Sequence, residues 1–155
     1  MTATELVALL KAANLKVATA ESCTGGMVAA ALTDIPGSSD VFECGFVTYS
    51  NAAKAQLLGV PATLIAQHGA VSAEVAIAMA NGALVHCEAD IAVAISGVAG
   101  PSGGTAEKPV GLVHLVCVRR GFAPVHLAMK YGDIGRDNVR KASVATALEL
   151  VAKAI

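Results

Sequence analysis

The stretch "TAESCTGG", Thr19 to Gly26, concentrates reactive groups. It offers an acid, Glu21, and two adjacent potential nucleophiles, Ser22 and Cys23, followed by Thr24, Gly25 and Gly26. A short apolar run precedes it and a longer run of small apolar residues follows, so it reads as a turn from a strand into a helix. Backbone N–H groups at a helix start point outward and carry partial positive charge. They can hold a phosphate or receive the oxyanion of an attacked carbonyl. A serine just before such a turn has the topology of a nucleophile elbow, although the Gly-x-Ser-x-Gly pattern is absent. A plain capped turn with glycines for close packing is the competing reading.

A serine hydroxyl needs a base. His68 and His86 fall near helix ends and His114 and His126 inside strands, with no carboxylate motif beside any of them. Lys54 stands in "SNAAKA", among small residues that leave room for a buried amine. Desolvation lowers a lysine pKa and can make it a base. A solvated helix lysine is the alternative. Tyr49, just upstream, could position a substrate or relay a proton. A third candidate stretch is "SGVAGPSGGTAEKPVG", residues 96–111, which combines Ser96, Gly97, Gly100, Gly103, Gly104 and Thr105. Its glycines permit close approach of backbone to ligand. Arg136 and Arg140 are four residues apart near the start of the last helix. Cations there oppose the helix dipole, which favours an anionic partner such as phosphate. Pairing with Asp133 or Asp137 is the other reading.

These groups need elements to position them. A capping box, Thr2 and Glu5, opens a helix over residues 3–13. Strands are expected at 16–20, 41–49, 91–95, 112–118 and 124–130. Further helices are expected at 25–33, 52–58, 61–68, 73–86 and 136–155. Residues 91–95 form a continuous apolar run, as in a strand covered on both faces. The order predicts one α/β domain over residues 1–155, a three-layer α/β/α sandwich on a mixed sheet of about five strands. Loops 21–26, 49–54 and 96–111 each follow a strand, and open α/β sheets bind ligands beyond their strand C-termini.

Composition narrows the function. Of 155 residues, 55% are hydrophobic, 15% charged and 3% aromatic, with a formal net charge of −1. That excludes disorder and disfavours base stacking or duplex binding. No apolar run approaches a membrane span, and the N-terminus lacks a basic signal-peptide region. Cys23, Cys44, Cys87 and Cys117 are scattered without Cys-x-x-Cys, so neither zinc nor a disulfide framework is indicated. A cytoplasmic protein acting on a small molecule is expected, without nucleic-acid or membrane partners and without metal or cofactor. The low charge is compatible with a homo-oligomer, a dimer first.

Several blocks together resemble the CinA C-terminal domain family: "TAESCTGG", "FVTYSNAAKAQLLGV", "LIAQHGAVSAEVAIAMANGAL", "AISGVAGPSGGTAEKPVGLV" and "GDIGRDNVRKASVATALELV". The resemblance runs from about residue 5 to residue 152. Stand-alone members of that family are nicotinamide-nucleotide amidohydrolases. They convert nicotinamide mononucleotide to nicotinic acid mononucleotide and ammonia in pyridine-nucleotide recycling. Longer members add a molybdopterin-binding-like domain, tied to competence and ADP-ribose pyrophosphatase activity; those roles are not carried over. The resemblance implies a Ser–Lys mechanism with Ser22 as nucleophile and Lys54, 32 residues downstream, as base. It places Tyr49 and Thr105 in the site and Arg136 and Arg140 at its basic position. N–H groups from Cys23 to Gly25 would stabilise the oxyanion. Two other readings remain: a cysteine amidase using Cys23 with Glu21 and Lys54, and a nucleotide-binding regulatory module without turnover.

Overall fold

The computed structural model describes residues 1–155. Helix α1, Ala3–Ala13, starts where Thr2 and Glu5 exchange the two hydrogen bonds of the capping box. Strand β1, Val17–Glu21, is buried along its whole length. Helix α2 spans Met27–Thr33, two residues later than the sequence suggests. Gly25 and Gly26 have φ of 59° and 99°, a left-handed backbone that no helix continues and that glycine adopts without a Cβ penalty. A 3₁₀ turn, Ser38–Asp40, leads into β2, Phe42–Val47. Three helices follow: α3, Asn51–Leu58, α4, Ala62–His68, and α5, Ala73–Val85. Then come β3, Ile91–Gly97, β4, Leu112–Arg119, β5, Val125–Lys130, and α6, Arg136–Ala152.

The sheet order is β2-β1-β3-β4-β5. Strands β2, β1 and β3 run parallel, whereas β4 and β5 are antiparallel to their neighbours. The expected mixed sheet is therefore observed. Because the three parallel strands end at one edge, the segments after Glu21, Val47 and Gly97 emerge side by side.

Alternation along β1 and β3 divides the core. Val17, Ile91, Val93 and Ile95 pack with Leu6, Leu10, Val28, Leu32, Val139 and Leu150 from α1, α2 and α6. Ala18, Ala20, Ala92 and Ala94 face the other way, against Leu58, Met79 and Ala83 from α3 and α5. The alanine surface lets α5 lie close to the sheet. Within that layer α3 packs on α5 at Gly82, where a Cβ would overlap the Leu58 carbonyl oxygen. Gly82→Ala therefore forces α3 and α5 apart. Although alanine is the better helix former, the variant is expected to lose about 1–3 kcal/mol in urea unfolding.

No helix is long and apolar enough to cross a membrane. The four cysteines are free thiols, and no group of three or more His, Cys, Asp or Glu is placed to hold a metal ion.

Candidate active site

Ser22 is the first residue beyond β1. Its N–H donates to Ile95 O at 2.9 Å, which fixes its backbone to β3. The turn then closes on itself: Gly25 N–H donates to Ser22 O and Met27 N–H to Thr24 O. Glu21, fully buried, reaches past the turn, and its two carboxyl oxygens accept from Val28 N–H at 2.9 Å and Ala29 N–H at 3.0 Å. The first turn of α2 is thereby occupied by a side chain of the protein. Cys23, Thr24 and Gly26 keep N–H groups with no acceptor on another residue. The donors left without a partner thus belong to the turn, not to the helix terminus, and Gly25 N–H is not among them.

Lys54 is the largest fully buried side chain, 1% exposed. Ser50 caps α3 by accepting from Ala53 N–H at 3.0 Å, and this directs the first turn of α3 toward the strand ends. Lys54 Nζ lies 3.1 Å from Ser22 Oγ, 3.0 Å from Thr48 O and 3.5 Å from Tyr49 O. No carboxylate pairs with it. Burial holds its pKa below the ordinary lysine value. A neutral amine has two hydrogens, matching the two carbonyls, and one lone pair, matching the Ser22 hydroxyl hydrogen.

Cys23 is in a different position. Burial pushes its thiol up to about 11, and the thiolate is the nucleophilic form. Glu21, its imagined partner, is committed to α2. The pairing of Cys23 with Glu21 is not formed.

The cleft beside Ser22 encloses about 300 Å³, the small end of the range for ligand pockets. Its lining includes Ser22, Cys23, Tyr49, Lys54, Gly97 and Arg136. Arg136 donates to Gly100 O and to the Tyr49 hydroxyl, both at 2.9 Å, joining two of the loops across the cleft. Arg140 is spent elsewhere: Nε donates to Cys23 O at 3.1 Å and Nη2 to Thr24 O at 3.2 Å. The two arginines do not form one anion clamp. Ser96 is 1% exposed and donates to Ala70 O at 2.7 Å, fixing the α4–α5 connection as a cleft wall. Thr105 is exposed and outside the lining; its hydroxyl accepts from Lys108 N–H, and Lys108 Nζ donates to His68 O. Thr24, Gly25, Gly26 and Gly100 also lie behind the lining.

Ala70 and Val71 line the cleft without any sequence signal, because only tertiary packing returns the α4–α5 connection to the strand ends. Asn51, Ser102 and Gly103 line it as well, inside loops already singled out. The histidines stay outside: His86 contacts Gly82 O at 2.7 Å, and His114 and His126 stack on each other.

The family model of the CinA C-terminal domain matches residues 1–155. The chain belongs to this family. This CinA domain is 54% identical over 144 residues to a CinA-like protein of Citrifermentans bemidjiense, a match covering 93% of the chain and 34% of that relative. It thus spans about a third of the length of some curated relatives. It is also 55% identical over 141 residues to the nicotinamide-nucleotide amidohydrolase PncC of Escherichia coli K12, covering 90% of the chain and 84% of PncC. The crystal structure of the competence/damage inducible protein CihA from Agrobacterium tumefaciens superposes with a TM-score of 0.96 at 51% identity, covering 97% of this CinA domain and 92% of that chain. A CinA superfamily protein from Escherichia coli superposes with a TM-score of 0.93 at 33% identity, covering 99% and 88%.

Proposed function

We propose that this CinA domain hydrolyses the carboxamide of nicotinamide mononucleotide, yielding nicotinic acid mononucleotide and ammonia, with Ser22 as nucleophile and Lys54 as general base. The observation that carries the reading is the buried Lys54 amine, 3.1 Å from Ser22 Oγ and without a carboxylate partner. The likeness to PncC over most of its length supports the substrate.

In the first step neutral Lys54 takes the Ser22 proton as Oγ bonds to the carboxamide carbon. The carbonyl oxygen becomes an oxyanion, received by the N–H of Cys23, which lines the cleft and has no acceptor on another residue. Collapse breaks the C–N bond while Lys54 returns the proton to the departing nitrogen, and ammonia leaves. Water then attacks the Ser22 ester, giving its proton to Lys54, and the carboxylate product departs with Ser22 restored. The phosphate end fits the mouth of the cleft. Ser102 and Gly103 present N–H groups without a protein acceptor there, and Arg136 supplies charge.

Ammonia release from nicotinamide mononucleotide tests the reading. Intact protein and Cys23→Ala are expected to turn over, whereas Ser22→Ala is expected to lose at least about 10³-fold. Loss with Cys23→Ala and retention with Ser22→Ala would move the nucleophile by one residue. Binding without turnover by the intact protein would leave a nucleotide-binding module.

A further inference from the structure

The fully buried Glu21 carboxyl takes no part in the proton transfers above. A serine or threonine cap would satisfy a helix start at lower desolvation cost than a buried carboxyl. Glu21 does what a local cap cannot. It sits on the last position of β1 and grips Val28 and Ala29, seven and eight residues ahead. Its own carbonyl accepts from Thr48 N–H at 2.9 Å, so its backbone is held by the β2 end as well. The five residues from Ser22 to Gly26 are therefore strung between two fixed points. With Val28 and Ala29 N–H consumed, Gly25 bonded to Ser22 O and Met27 bonded to Thr24 O, the unpaired donors lie inside that strung segment. Arg140 fixes the same segment from the opposite side through Cys23 O and Thr24 O.

We propose that Glu21 is a positioning residue that sets the aim of the Cys23 N–H group, on the cleft-lining residue of the turn, toward the oxyanion formed on Ser22. The proposal rests on the Ser22 amidase reading. Its scope is different: Glu21 touches neither substrate nor reacting atoms and acts through the turn.

The test is phosphonylation of Ser22 by a fluorophosphonate, followed by mass, in intact protein and in Glu21→Gln. Ser22 Oγ bonds to phosphorus, fluoride leaves, and the Ser22 proton passes to Lys54. The phosphonyl oxygen takes the oxyanion position, so the rate reads the aim of the Cys23 N–H. The end point counts folded sites, so a loss of folding lowers the end point without changing the rate. Glutamine keeps one accepting oxygen and puts an NH2 group against the other N–H. The variant is expected to label about 10-fold or more slowly, and to lose kcat per labelled site with KM within about 2-fold. An unchanged labelling rate in the variant, beside normal labelling of the intact protein, overturns the Glu21 assignment alone. An intact protein that neither labels at Ser22 nor releases ammonia overturns the amidase reading, and the assignment falls with it.

Discussion

Replacing Lys54 by methionine will remove turnover and raise the stability of the folded protein. Methionine has similar length and no charge, and it fills the same buried space. Without the amine no group within reach of Ser22 Oγ accepts its proton, and loss of such a base costs about 10³- to 10⁴-fold. Stability moves in the opposite sense. Burial lowers the Lys54 pKa in the folded state, so between that value and 10.5 the unfolded chain binds more protons than the folded one. Stability of the intact protein therefore rises with pH across that window. Below the folded-state pKa the penalty for the buried ammonium is complete, and it disappears as pH climbs through 10.5. Lys54→Met is expected to be more stable by about 1–2 kcal/mol at neutral pH, less the loss of the contacts to Thr48 O and Ser22 Oγ. Urea titrations of both proteins near neutral pH and at about pH 10 should show the gap narrowing as the lysine loses its proton. The activity of the intact protein should rise with pH through the same lowered Lys54 pKa, on a limb below that of a free lysine.

The elements themselves were legible because their signals are local. The Thr2–Glu5 box and the apolar run of β3 sit where the sequence puts them. Strand order then brings the loops after β1, β2 and β3 to one edge, as parallel pairing requires. The pairing of Lys54 with Ser22 was different. Spacing along the chain leaves Lys54 with a solvated alternative, only the family resemblance favours the buried one, and the structure puts Nζ beside Oγ. Three readings needed tertiary information. Glu21 looked like a reactive acid, but its partners are α2 N–H groups seven and eight residues away. Thr105 reads as a ligand-facing hydroxyl, yet it lies outside the cleft and braces its own loop, whereas Ser96 lines the cleft and also holds Ala70 O. The α4–α5 wall has no chemical signature, since Ala70 and Val71 matter only by position.

Arg136 and Arg140 make the sharpest case, because one helix face gives them identical prospects in sequence and unlike tasks in space. Arg140→Lys is expected to reduce kcat by about 10²-fold with little change in KM, although the charge is kept. The guanidinium spans Cys23 O and Thr24 O with two separate N–H donors. A single ammonium cannot reproduce that fork, so the turn loses its second anchor and the Cys23 N–H loses its aim. Arg136→Lys should behave differently. Arg136 faces the cleft and spends its donors on Gly100 O and the Tyr49 hydroxyl, at the end assigned to phosphate. There a point charge still attracts the anion, so the expected change is a rise in KM of several-fold with kcat nearly preserved. Steady-state kinetics of the two lysine variants on nicotinamide mononucleotide separate the cases. A KM effect at Arg140 with an intact kcat would return it to the phosphate subsite and leave Glu21 as the only side chain bracing the oxyanion turn.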